Sequence, residues 1–333
     1  LHRLTRLKLT AGRKKVLSLV IKAVIVFLTF WFIYLKISEN ANLKNFAVLV
    51  SSFSSTKIWF AGFVIVGLML LNWLLEALKW RRLVRHIERI TLWRSVESVF
   101  CGLSLAIFTP NRLGEYGGRV FFLSPKRRII GVVAMAVGNI GQLVLTNVFG
   151  ALAACLFVFR YVPMDPVFSY ALLILSIAFS GFFVLFYFNI RWLNGLLLSI
   201  RFTRKYKKFY KVLGRYRKSE LLKILLYCLA RYAVFSSQYF LLFSWLIPGL
   251  NSTDIIMMIC LLFFVQSTLP SLDLFDVGVR SLTASYFFGF ITDQEVAVIA
   301  CTASIWLVNI IFPAILGTYF VFKLNFFGNS RRT

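Results

Sequence analysis

Two short stretches carry charge where the rest of the chain carries hydrocarbon. In the first, at 108–119, Arg112, Glu115 and Arg119 follow Pro110 at spacings i, i+3 and i+7, so a helix through them bears all three on one face. Pro110 sets the start, because the residue before a proline is driven out of the helical region and proline fits a first helical turn. In the second, at 269–280, Asp273, Asp276 and Arg280 repeat that spacing behind Pro270, with the proline displaced by one residue. Guanidinium groups hold phosphate or carboxylate through paired N–H donors. Carboxylates beside them orient those groups or take a cation or proton. Ionisable residues among apolar ones are read first as functional.

Further polar residues stand inside apolar runs. Arg231 lies mid-way along one of them with Gln238 seven residues on, and a central arginine costs about 2.5–3.5 kcal/mol to insert. Asn72, Glu76 and Lys79 share one helical face near the end of another. Two readings are open. In one, Arg112, Glu115, Arg119, Arg231, Gln238, Asp273, Asp276 and Arg280 bind substrate. In the other, Glu76 pairs Lys79 locally and Arg231 pairs an acid such as Asp273 or Glu115, holding helices together. The ligand reading leads for Arg112 and Arg119, the structural one for Asn72, Glu76, Lys79, Pro110 and Pro270. Asn139, Gln142, Asn147 and Asn309 read as helix-packing residues.

The elements that position these groups follow from composition. Of 333 residues, 59% are hydrophobic and 15% charged, and mean hydropathy is +0.80. A soluble core cannot bury so much apolar surface, so the chain reads as an all-α polytopic membrane protein. Its net charge of +26 falls in clusters between apolar runs, where positive-inside topology and anionic lipid account for it. Nucleic acid is not expected as a partner. The five cysteines stand singly in apolar segments and His2 and His86 are the only histidines, so no disulfide framework, metal or cofactor is expected.

Runs at 16–35, 58–78, 129–159, 167–190, 221–246 and 296–322 have bilayer length. The first is too long for a signal peptide, and no cleavage pattern follows it. Basic clusters at 1–15, 79–94, 126–128, 201–218 and 323–332 put both termini on the cytoplasmic side of a plasma (inner) membrane. They also make 191–220 a cytoplasmic linker lying on anionic headgroups. Two shorter apolar pairs are broken at the charged stretches and read as re-entrant helical hairpins. The one near 95–123 faces the cytoplasm and the one near 255–290 faces outward. About six transmembrane helices and two hairpins then form an inverted repeat of 1–159 and 160–333, the plan of secondary transporters.

The two motifs carry a resemblance. FTPNRLGEYGGRVFFL in the first half and LPSLDLFDVGVR in the second resemble the transmembrane region of the lysylphosphatidylglycerol synthase family, which includes dolichol-phosphate-sugar synthetase-like membrane proteins. The similarity covers nearly the whole chain. The family's first motif is matched by Pro110, Arg112, Gly114, Glu115 and Arg119, and the second by Pro270, Gly278 and Arg280. Asp273 and Asp276 stand in place of a run of glycines, and Ser281 stands where an acid is usual. The resemblance implies a lipid-translocating or lipid-binding domain, as in the flippase part of the two-domain synthases. It also implies no aminoacyl transfer, since 323–333 leaves no room for the soluble domain that performs it.

The leading expectation is a flippase or transporter for an anionic or phosphate-bearing lipid, either a phospholipid or a polyprenyl-phosphate type. A membrane glycosyltransferase acting on a lipid phosphate and a non-transporting lipid-binding partner of an envelope enzyme stand as alternatives. No complete catalytic constellation is present, so the chain reads as more like a carrier than an enzyme. A homo-oligomer or an envelope-enzyme partner stays open.

Overall fold

In the computed structural model, which describes residues 55–107, 109, 112–190, 213–268 and 276–322 with a few isolated positions besides, the chain is all-α. The elements are α1 (Ser55–Val84), α2 (Leu92–Ala106), α3 (Leu113–Val120), α4 (Arg128–Tyr161), α5 (Pro166–Phe188), α6 (Lys218–Leu246), α7 (Ser252–Thr268), α8 (Asp276–Phe288), α9 (Glu295–Trp306) and α10 (Phe312–Val321). A π turn, Leu307–Ile311, joins α9 to α10. Among the described residues five segments are long and apolar enough to cross a membrane, namely Trp59–Val84, Pro125–Tyr161, Pro166–Phe188, Lys218–Leu246 and Glu295–Val321. Spanning takes roughly 20 residues, and each has them. This is a polytopic membrane protein. The expected crossing at 16–35 and most of the basic linker lie outside the described residues.

Local chemistry sets the ends. Arg81 and Arg82 fill the last turn of α1, where the helix dipole favours cations. Thr91 opens α2 by accepting the Arg94 N–H at 3.2 Å, a cap of the usual N-terminal kind. Asp165 accepts the Val167 N–H at 2.8 Å and Pro166 occupies the first turn of α5. On α5 the apolar residues Val167, Phe168, Ile174 and Leu175 are exposed, as suits a helix facing lipid.

α2 and α3 pack as an antiparallel pair with their backbones nearly touching. A Cβ added at Gly118 would lie 2.5 Å from the Gly102 Cα, so only glycine fits there. Across the molecule α1 packs along α6, α2 seats α10, and α7 seats α4. The seats are close in both places: a Cβ at Gly317 would meet the Phe100 carbonyl oxygen at 1.9 Å, and one at Gly150 would meet the Phe264 Cβ at 2.3 Å. Ser104 Oγ also donates to the Ala314 carbonyl at 2.6 Å. Further contacts come in corresponding couples: α1 with α2 and α6 with α7, α1 with α4 and α6 with α9, α3 with α4 and α8 with α9.

Candidate functional site: a buried ion-pair network beside a polar cavity

Glu76 is the centre of the charge network. It is 2% exposed, and its two oxygens take three cations. Oε1 accepts from Arg119 at 2.5 Å, while Oε2 accepts from Lys79 at 2.7 Å and from Arg231. The local pairing with Lys79 expected from i, i+3 spacing is therefore one of three. Arg231 was expected to find Asp273 or Glu115; it is instead bound to Glu76, and its Nε donates to Asn72 Oδ1 at 3.0 Å. The α1–α6 packing explains this, because it brings residue 231 beside residues 72 and 76. The Arg231 guanidinium also lies 5.3 Å from the Trp73 ring centroid, a cation–π distance.

Arg119 joins the two acids. Its Nη1 reaches Glu76 and its Nη2 reaches Glu115, and its side chain is 1% exposed. Glu115 in turn forms an ion pair with Arg112, whose Nε lies 3.1 Å from Glu115 Oε2. The chain Arg112–Glu115–Arg119–Glu76–Arg231 thus links α3, α1 and α6. Arg112 precedes the first turn of α3 in the left-handed region, with φ +56°. Such a backbone in a non-glycine residue is uncommon and costs about 1–3 kcal/mol.

Beside the network lies a cavity of about 440 Å3. Lys79, Arg112, Arg231 and Arg280 line it against Glu76 and Glu115, so among the described residues of its wall cations exceed anions by two. Arg119 is behind that wall. The remaining lining is largely polar and aromatic: Asn72, Trp73, Tyr116, Asn139, Gln142, Thr146, Gln266, Ser267 and Asn309 among it. Trp73 Nε1, Gln142 Oε1, Gln266 Nε2 and Asn309 Oδ1 are buried with no hydrogen-bond partner among the described residues. Buried polar atoms of that kind cost roughly 1–3 kcal/mol each unless something answers them.

No family model matches the chain, and no similar curated protein or solved structure is found. The resemblance of the two motifs to the synthase transmembrane region therefore rests on the residues that carry it.

Of the sequence-predicted site, the fold brings Arg112, Glu115, Arg119 and Arg231 into one network and adds Arg280 at the same cavity. Gln238 is elsewhere: it is buried and donates to the Ile65 carbonyl at 3.0 Å, tying α6 to α1. Pro110, Pro270 and Asp273 fall outside the described residues, as does the side chain of Asp276 at the start of α8. Asn139, Gln142 and Asn309, read from sequence as packing groups, line the cavity, and Tyr116, Gln266 and Ser267 join them unforeseen. One signal was available. Asn139, Gln142 and Thr146 stand at i, i+3 and i+7, a polar stripe on α4. Asn309 is set by the π turn: Pro313 has no N–H to continue the ladder, and Phe312 N–H bonds back to Leu307. Single π turns often mark functional positions.

Proposed function

We propose that this protein binds the phosphate of an anionic membrane lipid in the cavity between α1, α3, α4 and α6 and moves it between leaflets of a plasma (inner) membrane, as a flippase-like carrier. One observation carries the reading. Among the described residues, a polar cavity between membrane-spanning helices is lined by Lys79, Arg112, Arg231 and Arg280 against two carboxylates, both already engaged by cations. A described lining richer in cations than in carboxylates, in a low-dielectric surrounding, favours an anion, and arginine forks fit its oxygens in pairs.

The packing supports a two-fold relation between 1–159 and 160–333, and the basic clusters favour its inverted form. Exchanging the halves maps α1 onto α6, α2 and α3 onto α7 and α8, and α4 onto α9 and α10. The contacts of one half then find their counterparts in the other. Both broken pairs contribute to the same cavity, α3 through Arg112 and Glu115 and α8 through Arg280. That is where re-entrant segments from opposite faces meet their substrate.

The experiment is lipid movement in vesicles containing the purified chain, followed by loss of fluorescence when an external reductant reaches labelled lipid. We expect labelled phosphatidic acid or phosphatidylglycerol to become accessible and labelled phosphatidylcholine to stay protected, with Arg231→Gln abolishing the difference. Equal movement of all three lipids by the wild type and by Arg231→Gln would remove the proposal.

A further inference from the structure

We infer a second anion-binding site, built from arginines at the other end of the α1–α6 seam. Arg81, Arg82, Arg85 and Arg89, with Tyr227 of α6, line a cavity of about 440 Å3 distinct from the one beside Glu76. Among the described residues, no acid is part of this wall. The acids closest in sequence are turned to other partners. Glu88 accepts the Ser124 N–H at 3.0 Å, bonds the Ser124 hydroxyl, and lies 3.8 Å from Arg127. Glu220 takes His86 at 2.7 Å. Among the described residues none of the four arginines has an ion-pair partner.

Orientation during insertion explains why the charges lie on this side of the membrane, and the α1 dipole explains a preference for Arg81 and Arg82 in its last turn. Neither explains why all four line one hollow with Tyr227. Four guanidinium groups around one hollow repel each other unless an anion sits among them; Arg81, Arg85 and Arg89 are exposed and Arg82 is half-buried, so an anion reaches them directly from solvent. The chemistry of the wall sets the ligand class. With no carboxylate among the described lining to offset four forks, the fit is to a dianionic group, a phosphate monoester or a diphosphate, over a singly charged phosphodiester. Tyr227 and Arg231 are four residues apart on α6, about 6 Å along the axis, so the two sites are stacked on one seam. The arginine site stands without the function proposed above; that it serves the inner cavity rests on that reading.

The test uses the full chain in nanodiscs of phosphatidylcholine, with bound phosphatidic acid counted by native mass spectrometry and inorganic pyrophosphate added as a competitor in a separate arm. The variants are Arg85→Lys with Arg89→Lys, which keeps charge and topology but loses the forks, Arg85→Gln with Arg89→Gln, and Arg231→Gln for the inner cavity. We expect wild type to hold two phosphatidic acid molecules, and both Arg85/Arg89 pairs to weaken one of the two by roughly tenfold. Arg231→Gln should weaken only the other. Displacement of that one lipid by pyrophosphate would identify a site that reads the headgroup alone; resistance to pyrophosphate would identify one that needs the acyl chains, and either supports the assignment. The lysine pair decides the matter if the glutamine pair does not fold. Binding by the lysine pair equal to wild type would overturn the site and leave the arginines as diffuse charge, whatever Arg231→Gln does.

Discussion

At Glu76 one carboxylate with 2% exposure faces Arg119, Lys79 and Arg231, and its loss has a calculable sign. Breaking a buried ion pair from one side leaves the remaining charges uncompensated, at a cost of about 3–5 kcal/mol. Glu76→Gln should therefore lower the thermal midpoint in detergent sharply, and a midpoint unchanged from wild type would show that Lys79 and Arg119 are not held as described. Arg119→Ala belongs with it. Since Arg119 is 1% exposed and spans Glu76 and Glu115 behind the cavity wall, it should cost stability on the same scale. Arg231→Gln should behave differently, because Arg231 is 16% exposed and faces the cavity: a small change in midpoint, a large loss of phosphatidic acid binding. If Arg119→Ala keeps the wild-type midpoint while Arg231→Gln unfolds the protein, the division between strut and binding group is reversed. Which residues would matter was largely legible, since charge inside apolar sequence is conspicuous. Who pairs with whom was legible where partners stand three or four residues apart, as for Glu76 with Lys79 and for Glu115 with Arg112 and Arg119. The partners of Glu76 at positions 119 and 231 come from other helices, and no local spacing encodes them.

Among the elements, hydrophobic length located the crossings well because a bilayer fixes how long an apolar run must be. The run at 129–159 became α4, Arg128–Tyr161, and 221–246 became α6, Lys218–Leu246. What length alone did not reveal is how close the helices come, which small residues decide one contact at a time. Gly317 is the sharpest case, with its hypothetical Cβ 1.9 Å from the Phe100 carbonyl oxygen. Backbone atoms there have no rotamer to escape into. Gly317→Leu should push α10 off α2, break the Ser104–Ala314 hydrogen bond and reduce the yield of folded protein, whereas Gly181→Leu, at a position with nothing within 4 Å, should not. Comparable monodisperse yields of both variants by size-exclusion chromatography would contradict the close seat. The π turn was also hidden, because Pro313 inside an apolar run reads as a kink in one crossing. Its consequence, Asn309 at the cavity, needs the observed ladder shift.

For the molecule as a whole, the issue is whether two halves that exchange packing partners also exchange sides of the membrane. The paired contacts, α2 on α10 with α7 on α4, and α1 on α6 with itself in the middle, are what a two-fold relation between the halves produces. A two-fold axis normal to the membrane would keep both broken pairs on one face, and an axis in the membrane plane puts them on opposite faces. The basic clusters favour the second. Arg81, Arg82, Arg85 and Arg89 precede the first pair and Lys126 to Arg128 follow it, while the second pair is flanked by Asn251, Ser252, Asp293 and Gln294 with no Lys or Arg beside it, as an outer face should be. Single cysteines at Leu113, just inside α3, and at Thr292, after α8, decide between the axes. In right-side-out vesicles a membrane-impermeant maleimide should label Thr292→Cys directly and Leu113→Cys only after permeabilisation. Labelling of both before permeabilisation would make the relation parallel. The inner cavity would then be approached by both broken pairs from one side, and a carrier alternating between faces would lose its structural basis even if the arginines still bind lipid.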